Sequence, residues 1–407
     1  MRTVVLCAIV AMVVPSHARA QSVPLTEAEA LARLSPDSPR LRAIHAAVDV
    51  ARADVLAAGR WPNPRLTYDR ESVAGVTENM TMVAQPLPIT GRRGLEVQAA
   101  SAIVDASSNR SDDAMRRARA DLRLAFAQLV AAQTREQVLA TSRDRLRELA
   151  AVLGKREAAG DAAGFDRLRA EREMLDIEAD HALAASERTR AQATVASFFA
   201  EAIDPSRVVA VSRQPTPASI PAVDVLVERA EAIRGDLLAL RKEVDAARFS
   251  AKAADRRWVP EPEIVAGTKS STVGGGDVGS VFTVHANIPL FDRGKPEQAL
   301  AVARASQAQA RIDAFRVALR TDIAALRAAV LERRDTADRY RSAAVNSAGE
   351  IERIAQVSYD AGERGILELL DAYRTGASAR IRQATLDLIA RQAELELEFA
   401  SGREIQQ

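Results

Sequence analysis

Two helical patterns of exceptional length lie near the end of the sequence and limit what the chain can fold into. The first runs from about residue 294 to 358 and the second from about 365 to 400, with Tyr359–Asp371 between them. At about 1.5 Å per residue the first helix would be about 100 Å long. A helix of that length does not fit inside an ordinary globular core. We therefore expect a hairpin that crosses a space, with the interruption forming its turn.

The composition agrees with long helices that pack against one another. Only 4% of the 407 residues are aromatic, and alanine, leucine, arginine and glutamate are abundant, as in coiled coils. Apolar residues recur at spacings of three and four along both long patterns, which is typical of a coiled-coil seam. The predicted seam residues are Ile312, Phe315, Leu319, Ile323, Leu326 and Val330 in one helix, and Leu370, Tyr373, Ala377, Ile381, Ala384 and Leu388 in the other.

Residues 1–20 have the features of a cleaved signal peptide. Arg2 precedes an apolar run, and Ala18-Arg19-Ala20 forms a small-residue cleavage site. The single cysteine, Cys7, lies inside this segment, so the mature chain would contain no disulfide. No later run of about 18 apolar residues occurs, so we expect an exported protein whose membrane passage, if any, uses β-strands.

Period-two alternation appears in four short stretches, two after each Trp-Pro segment. The first segment, Trp61-Pro62-Asn63-Pro64, precedes predicted strands at about 65–71 and 79–86. The second, beginning at Trp258, precedes predicted strands at about 263–269 and 280–290. Four strands cannot close a barrel with a lumen, so several chains would have to share one barrel. Alternation of Phe282 and Val284 with Thr283 and His285 would then give a lipid face and a lumen face.

Matching landmarks show that the chain is an internal duplication of about 200 residues. Trp258 lies 197 residues after Trp61, Pro289 lies 201 after Pro88, and Gly362 lies 202 after Gly160. We therefore predict a mainly α fold with a small β part, each copy having a helix-helix-strand-strand-helix-helix plan. The predicted units are a first repeat at 21–203 with long helices at about 91–154 and 165–200, a linker at 204–221, a second repeat at 222–400 and a short tail at 401–407.

This plan resembles the TolC-type outer-membrane efflux proteins over nearly the whole mature chain. The motifs Trp61-Pro62-Asn63-Pro64 and Gln85–Arg93 look most like the CzcC-like heavy-metal efflux branch. The resemblance implies a homotrimer in the outer membrane of a Gram-negative bacterium, with a shared β-barrel continued by an α-helical tunnel through the periplasm. It also implies two partners, a periplasmic adaptor (membrane fusion protein) and an inner-membrane pump of the RND type. Many relatives are lipidated at the N-terminus, but Leu6 before Cys7 departs from that motif.

The resemblance assigns roles to residues at the hairpin tips. Glu368 and Asp371 fall where relatives place the acidic residues of the periplasmic pore gate. Tyr359, Arg364 and Asp166 match positions that lock neighbouring hairpins together in the closed state. Arg169 stands in the first copy where Asp371 stands in the second, so the two tips are not equivalent.

Other residues at the tips and at the membrane have simpler predicted roles. Gly160, Gly362 and Gly365 are turn glycines, and the resemblance makes their turns the contacts for the adaptor. Trp61 and Trp258 lie where helices lead into strands, which favours an aromatic belt at a membrane interface in contact with outer-membrane lipid.

The expected function is that of a passive efflux conduit, most simply for heavy-metal cations. Multidrug efflux and type I protein secretion remain alternatives for the same channel, and a periplasmic coiled-coil scaffold is an alternative of another class. The 56 basic and 55 acidic residues leave no basic stripe for nucleic acid. We expect no enzyme activity and no cofactor, because the sequence has no nucleophile–base motif and no phosphate loop. His45, His181 and His285 lack metal-ligand spacing.

Overall fold

The computed structural model describes residues 23–160, 164–212 and 219–402. The predicted signal peptide at 1–20 and most of the tail at 401–407 lie outside the described residues. Part of the predicted linker also lies outside them.

Each repeat consists of two shorter helices, a pair of long strands and a long helical hairpin. The first contains β1 (Val23–Leu25), α1 (Glu27–Ala32), α2 (Pro39–Ala58), β2 (Arg65–Val73), β3 (Val76–Pro86), α3 (Arg92–Ala158) and α4 (Gly164–Ala196). A short strand, β4 (Val208–Ala210), lies in the predicted linker. The second repeat contains α5 (Val223–Ile233), α6 (Gly235–Asp255), β5 (Pro262–Ser271), β6 (Val278–Ala286), α7 (Lys295–Tyr340), α8 (Asn346–Asp360) and α9 (Ile366–Ser401). The mainly α fold class with a small β part is confirmed.

The long strands form one antiparallel sheet in the order β2-β3-β5-β6. β3 pairs with β5, so the sheet joins the two repeats, while β2 and β6 are its edges within the chain. Strand β6 ends at Ala286, whereas the alternation predicted that the strand would continue to about residue 290. Its partner β5 begins at Pro262, which pairs with Ala286, so later residues have no neighbouring strand.

The register of the sheet separates an apolar face from a polar one. Leu66, Val83, Ala266 and Phe282 are aligned across all four strands, and Leu66 and Phe282 are each 71% exposed. On the opposite face, ion pairs join Arg65 to Glu263 at 2.8 Å and Lys269 to Glu78 at 2.7 Å. Met80 and Met82 also lie on this polar face, because Met82 pairs with Thr67 and not with Leu66.

The long helix predicted at 294–358 is interrupted. A π-helical segment, Arg341–Val345, separates α7 from α8. The corresponding helix of the first repeat, α3, is continuous over 67 residues. Apolar periodicity does not reveal such a segment, because five residues are too few to change the pattern of the whole helix. Within the described ranges, no helix is both long and apolar enough to span a bilayer.

The segment predicted as a linker contains β4, one of the two strands of a small parallel sheet that the sequence did not reveal. β4 pairs with β1, and its backbone is held by two glutamine side chains. Gln133 Nε2 donates to Ala210 O at 3.0 Å and Gln192 Nε2 donates to Val208 O at 2.7 Å. Three-residue strands are too short for an alternating pattern to be recognised.

The predicted seam of α7 is buried, as expected for a coiled-coil contact. Ile323 and Val330 are fully buried, and Ile312 and Leu319 are nearly so. Leu319, Ile323 and Val330 pack with Leu226 of α5 and Leu397 of α9. Ile312 packs instead against Leu237 and Val244 of α6. The seam of α9 is buried near the hairpin tip at Leu370 and Ala377, and only half-buried from Ile381 to Leu388.

Candidate functional site at the hairpin tips

The tips of the α3–α4 and α8–α9 hairpins share one hydrophobic core. Leu149 and Leu153 of α3 meet Ile366 and Leu369 of α9, and Ala170 of α4 and Ala355 of α8 complete the contact. This core holds the two tips side by side, so polar residues on them have fixed positions relative to one another.

Backbone capping makes the turn of the second hairpin. Gly362 has φ +74, and its amide donates to Tyr359 O at 3.0 Å. The Glu363 amide donates to Ser358 O at 2.9 Å, which completes a Schellman motif. Gly160 takes the same left-handed conformation in the first hairpin, with φ +83. Gly365 has φ −81, which any residue can adopt. The backbone therefore does not require glycine at this position.

The two predicted gate carboxylates lie exposed in the first two turns of α9. Asp371 has Arg374 as a partner at 3.5 Å, with both side chains about two-thirds exposed, so this pair contributes little to stability. Glu368 has no hydrogen bond or ion pair with any residue that the structure describes. The structure therefore brings the two carboxylates onto one exposed stretch of α9.

The three predicted lock residues are not joined to one another within the chain. Tyr359 is half-buried, and the Arg156 guanidinium lies 5.9 Å from the centre of its ring. Asp166 is half-buried and Arg364 is exposed. In the described part of the chain no hydrogen bond links Tyr359, Asp166 and Arg364, so a contact among them would require a neighbouring copy or a movement of the tips.

A buried carboxylate ties the two hairpins together just above the tips, and sequence reasoning missed it. Glu352 of α8 is 8% exposed and receives two hydrogen bonds of 2.8 Å from Arg380 of α9. It also accepts one of 3.2 Å from Arg145 of α3. A buried carboxylate in this position is stable only while its arginine partners are present.

Gly376 of α9 provides the room for this carboxylate. A Cβ atom at Gly376 would overlap the Glu352 carboxylate and lie 3.0 Å from Glu352 Cγ. A glycine in the middle of a helix costs stability, about 1 kcal/mol relative to alanine. Its presence in the α9 pattern was the one sequence signal that could have pointed to the buried charge.

Tyr373 lies next to this cluster and adds a hydrogen bond between the two helices. Its hydroxyl donates to Gln356 of α8, and the Arg145 guanidinium lies 6.0 Å from the ring centre. Burial raises the pKa of the Tyr373 hydroxyl above its ordinary value. The hydroxyl is therefore protonated at neutral pH and available as a donor.

The remaining predicted residues lie far from the tips. Trp61 and Trp258 are 54% and 60% exposed, each on the segment that leads into a strand. His45, His181 and His285 belong to different elements. No group of three or more potential metal ligands occurs in the ranges that the structure describes.

Comparison with known proteins shows the class of this fold. The structure aligns with that of the channel protein CusC with a TM-score of 0.74, at 15% identity, covering 94% of this chain and 93% of that one. It aligns with the outer membrane protein VceC of Vibrio cholerae with a TM-score of 0.73, at 17% identity, covering 93% and 96%. The fold is that of the TolC-type channels.

Sequence comparison supplies the family. The family model described as "Outer membrane efflux protein" matches residues 226–403. The cobalt-zinc-cadmium resistance protein CzcC of Cupriavidus metallidurans is 24% identical over 371 residues, covering 91% of this chain and 88% of that protein. The nickel-cobalt-cadmium resistance protein NccC of Alcaligenes xylosoxydans xylosoxydans is 28% identical over 296 residues, covering 69% and 64%. The second repeat thus matches the outer-membrane efflux protein family, and the relatives found by sequence extend the similarity over most of the chain.

The role of Gly376 can be tested by substitution with alanine. We expect Gly376→Ala to lower the thermal unfolding midpoint, because the new methyl group would displace Glu352 from both arginines. The free energy of unfolding should fall by about 2 kcal/mol or more, because a buried ion pair is disrupted. Circular dichroism at the helix minimum would measure it.

Gly349→Ala is the matched control. Gly349 is also a helical glycine, in α8, and a Cβ there would meet nothing within 4 Å. This variant should be neutral or slightly stabilising. Equal midpoints for the two variants would contradict the proposed role of Gly376.

Proposed function

We propose that this protein is the outer-membrane channel of a tripartite efflux system that carries heavy-metal cations from the periplasm to the exterior. The observation that supports this cargo best is the set of curated relatives. CzcC is named for resistance to cobalt, zinc and cadmium and NccC for resistance to nickel, cobalt and cadmium, and the CzcC match extends over 91% of this chain.

The exposed carboxylates at the tip would give the channel entrance its charge selectivity. In a trimer, three copies of Glu368 and Asp371 would form a ring of six carboxylates around the axis. Such a ring concentrates cations and repels anions. It would select by charge and not by coordination.

The polar face of the sheet has the same charge preference. Arg65 and Lys269 are neutralised by Glu263 and Glu78, whereas Asp69 and Glu71 on the same face are exposed without a cation partner among the described residues. If this face lines the shared lumen, the exit as well as the entrance would favour cations.

The energy for transport would come from the partners of the channel. We propose a homotrimer whose hairpin turns, around Gly160, Gly362 and Gly365, contact the periplasmic adaptor, which connects it to an inner-membrane pump of the RND type. In this arrangement the chain is a passive conduit, and no step of bond chemistry takes place in it.

Deletion of the gene tests the cargo. We expect the deletion strain to become more sensitive to cobalt, zinc, cadmium or nickel salts, because these cations would no longer leave the periplasm. Growth on a panel of metals and drugs would measure this, with the intact gene restored on a plasmid as the control. Sensitivity to drugs alone would contradict the metal assignment and favour a multidrug channel.

Neutralising the gate carboxylates tests the charge selectivity. We expect Glu368→Gln with Asp371→Asn to lower the cation-to-anion permeability ratio in planar bilayers by about threefold. Glu332→Gln is the control, because Glu332 is an exposed carboxylate on α7, far along the chain from the tip. An unchanged ratio in the double variant would place the selectivity elsewhere.

The lock residues give a separate prediction about opening. Tyr359→Phe with Arg364→Ser should raise single-channel conductance in planar bilayers, because both changes remove side-chain groups that could bind a neighbouring hairpin. Arg353→Ser is a suitable control, since Arg353 binds only Glu350 of its own helix among the described residues. A conductance equal to that of the unaltered channel would rule out the lock.

A further inference from the structure

We propose that the layer where the helices meet the sheet is a docking surface for anionic phospholipid headgroups. We define this junction layer as residues 60–64, 87–93, 256–261 and 287–295, the four segments that lead into or out of the long strands. The inference rests on the proposed function, because it requires the sheet to lie in the outer membrane. The leaflet concerned is the one on the side of the helices.

Hydrogen bonds hold the four segments at one level. Gln85 Nε2 donates to Pro62 O at 3.0 Å, and the Leu87 amide donates to Pro262 O at 2.8 Å. Thr90 Oγ1 donates to Glu261 Oε1 at 2.8 Å. An ion pair joins the Arg257 guanidinium to the Asp292 carboxylate at 3.6 Å. The segments therefore form one continuous layer and not four independent loops.

This layer exposes large apolar side chains in both repeats. Phe291 is 99% exposed and Ile89 is 69% exposed, values far above those of a packed side chain. Together such residues form a patch that water does not favour. The exposed apolar residues of the layer are Trp61, Ile89, Trp258, Ile288, Leu290 and Phe291.

The same layer carries cations that nothing in the described chain neutralises. Arg92 is paired with Glu261 at 3.2 Å, and Arg93 lies over the Trp61 ring at 5.1 Å. In contrast, four exposed basic side chains have no acidic partner among the described residues. They are Arg60, Arg256, Arg293 and Lys295.

The end of the sheet away from the helices carries a net negative charge, whereas the junction layer is positively charged. Glu71 and Asp277 are exposed there, Glu78 is paired with Lys269, and Arg70 is the one exposed cation without an acidic partner among the described residues. The opposite end also exposes apolar side chains, Val73, Val273 and Val278, but it has one such unpaired cation against four at the end next to the helices. Side chains of these two kinds insert together at a phospholipid surface, where the apolar parts enter the acyl region and the cations meet phosphate groups.

A second copy of the chain does not account for this surface. Copies would meet through the sheet edges, β2 and β6, whereas β3 and β5 already have partners on both sides. Ile89 follows β3, and Arg256 and Trp258 precede β5, so these three residues lie at the ends of inner strands. Lipid, which surrounds the sheet at every strand, explains why inner and edge junctions share the same chemistry.

The two tryptophans of the chain, Trp61 and Trp258, make the inference directly testable, because both lie in the layer. The full chain would be reconstituted in bilayers of equal phosphatidylglycerol and phosphatidylcholine, with bromine on the upper acyl chains of one lipid or the other. We expect brominated phosphatidylglycerol to quench tryptophan fluorescence about twofold more than brominated phosphatidylcholine, because the cations enrich the anionic lipid locally.

Variants identify the side chains responsible. Arg256→Gln with Arg293→Gln should bring the two quenching values close together, and so should high salt, which screens the attraction. Arg304→Gln with Arg311→Gln is the matched control, since both residues are exposed arginines on α7 outside the layer. The control should keep the difference between the lipids.

The possible failures are distinguishable when conductance is measured on the same vesicles. Equal quenching by both lipids, with conductance intact, would overturn the lipid inference alone. If millimolar glycerol phosphate abolished the difference in quenching between the two lipids, the layer would be a site for soluble phosphate. This result would also overturn the lipid inference. Absence of both quenching and conductance would overturn the proposed function itself.

Discussion

Pairing of β3 with β5 is the contact on which the rest of the structure depends. Within the four-stranded sheet of the described residues, it is the only pairing that joins the two repeats. Its register runs from the pair Glu78–Ser271 to the pair Pro86–Glu263. The close approach requires Gly267, because a Cβ there would overlap the Thr81 carbonyl. Because α3 and α7 follow β3 and β6 after short segments, this register also fixes where the two long hairpins begin relative to each other. At the far end of these hairpins the core around Leu149 and Ile366 joins the two repeats a second time.

The helical part is held together by charge as well as by apolar contact. Small side chains along the helices leave little apolar area to bury, so arginine–carboxylate clusters occupy positions that leucine would fill elsewhere. Glu398 is 5% exposed and is bound by Arg123, which also binds Glu27 of α1. Such clusters add little net stability over an apolar core, but each member is costly to remove alone. They make the helix contacts specific at Glu27, near the middle of the molecule, and at Glu352, near the tips.

The sequence was informative wherever a pattern extended over many residues. The duplication, the two pairs of strands and the buried seam at Ile323 and Val330 could be predicted because each depends on a repeated spacing. Short features could not, as β1, β4 and the π-helical segment have only three to five residues each. The buried Glu352 was also missed, because its neighbour Glu350 is an exposed glutamate in a similar local sequence. What distinguishes them is Gly376, 24 positions after Glu352, and that relation exists only once α8 and α9 are placed side by side.

The π-helical segment at Arg341–Val345 preserves the rotational phase of the second hairpin. The offset between the repeats is 201 residues at the proline pair and 202 at the turn glycines, so the second copy holds one residue more between these landmarks. A π turn closes its hydrogen bond one residue later than an α turn and can absorb such an insertion. Without it, everything after the insertion would rotate by about 100°. Glu352 and Ala355 would then point away from α9, and the two tips would lose their common core.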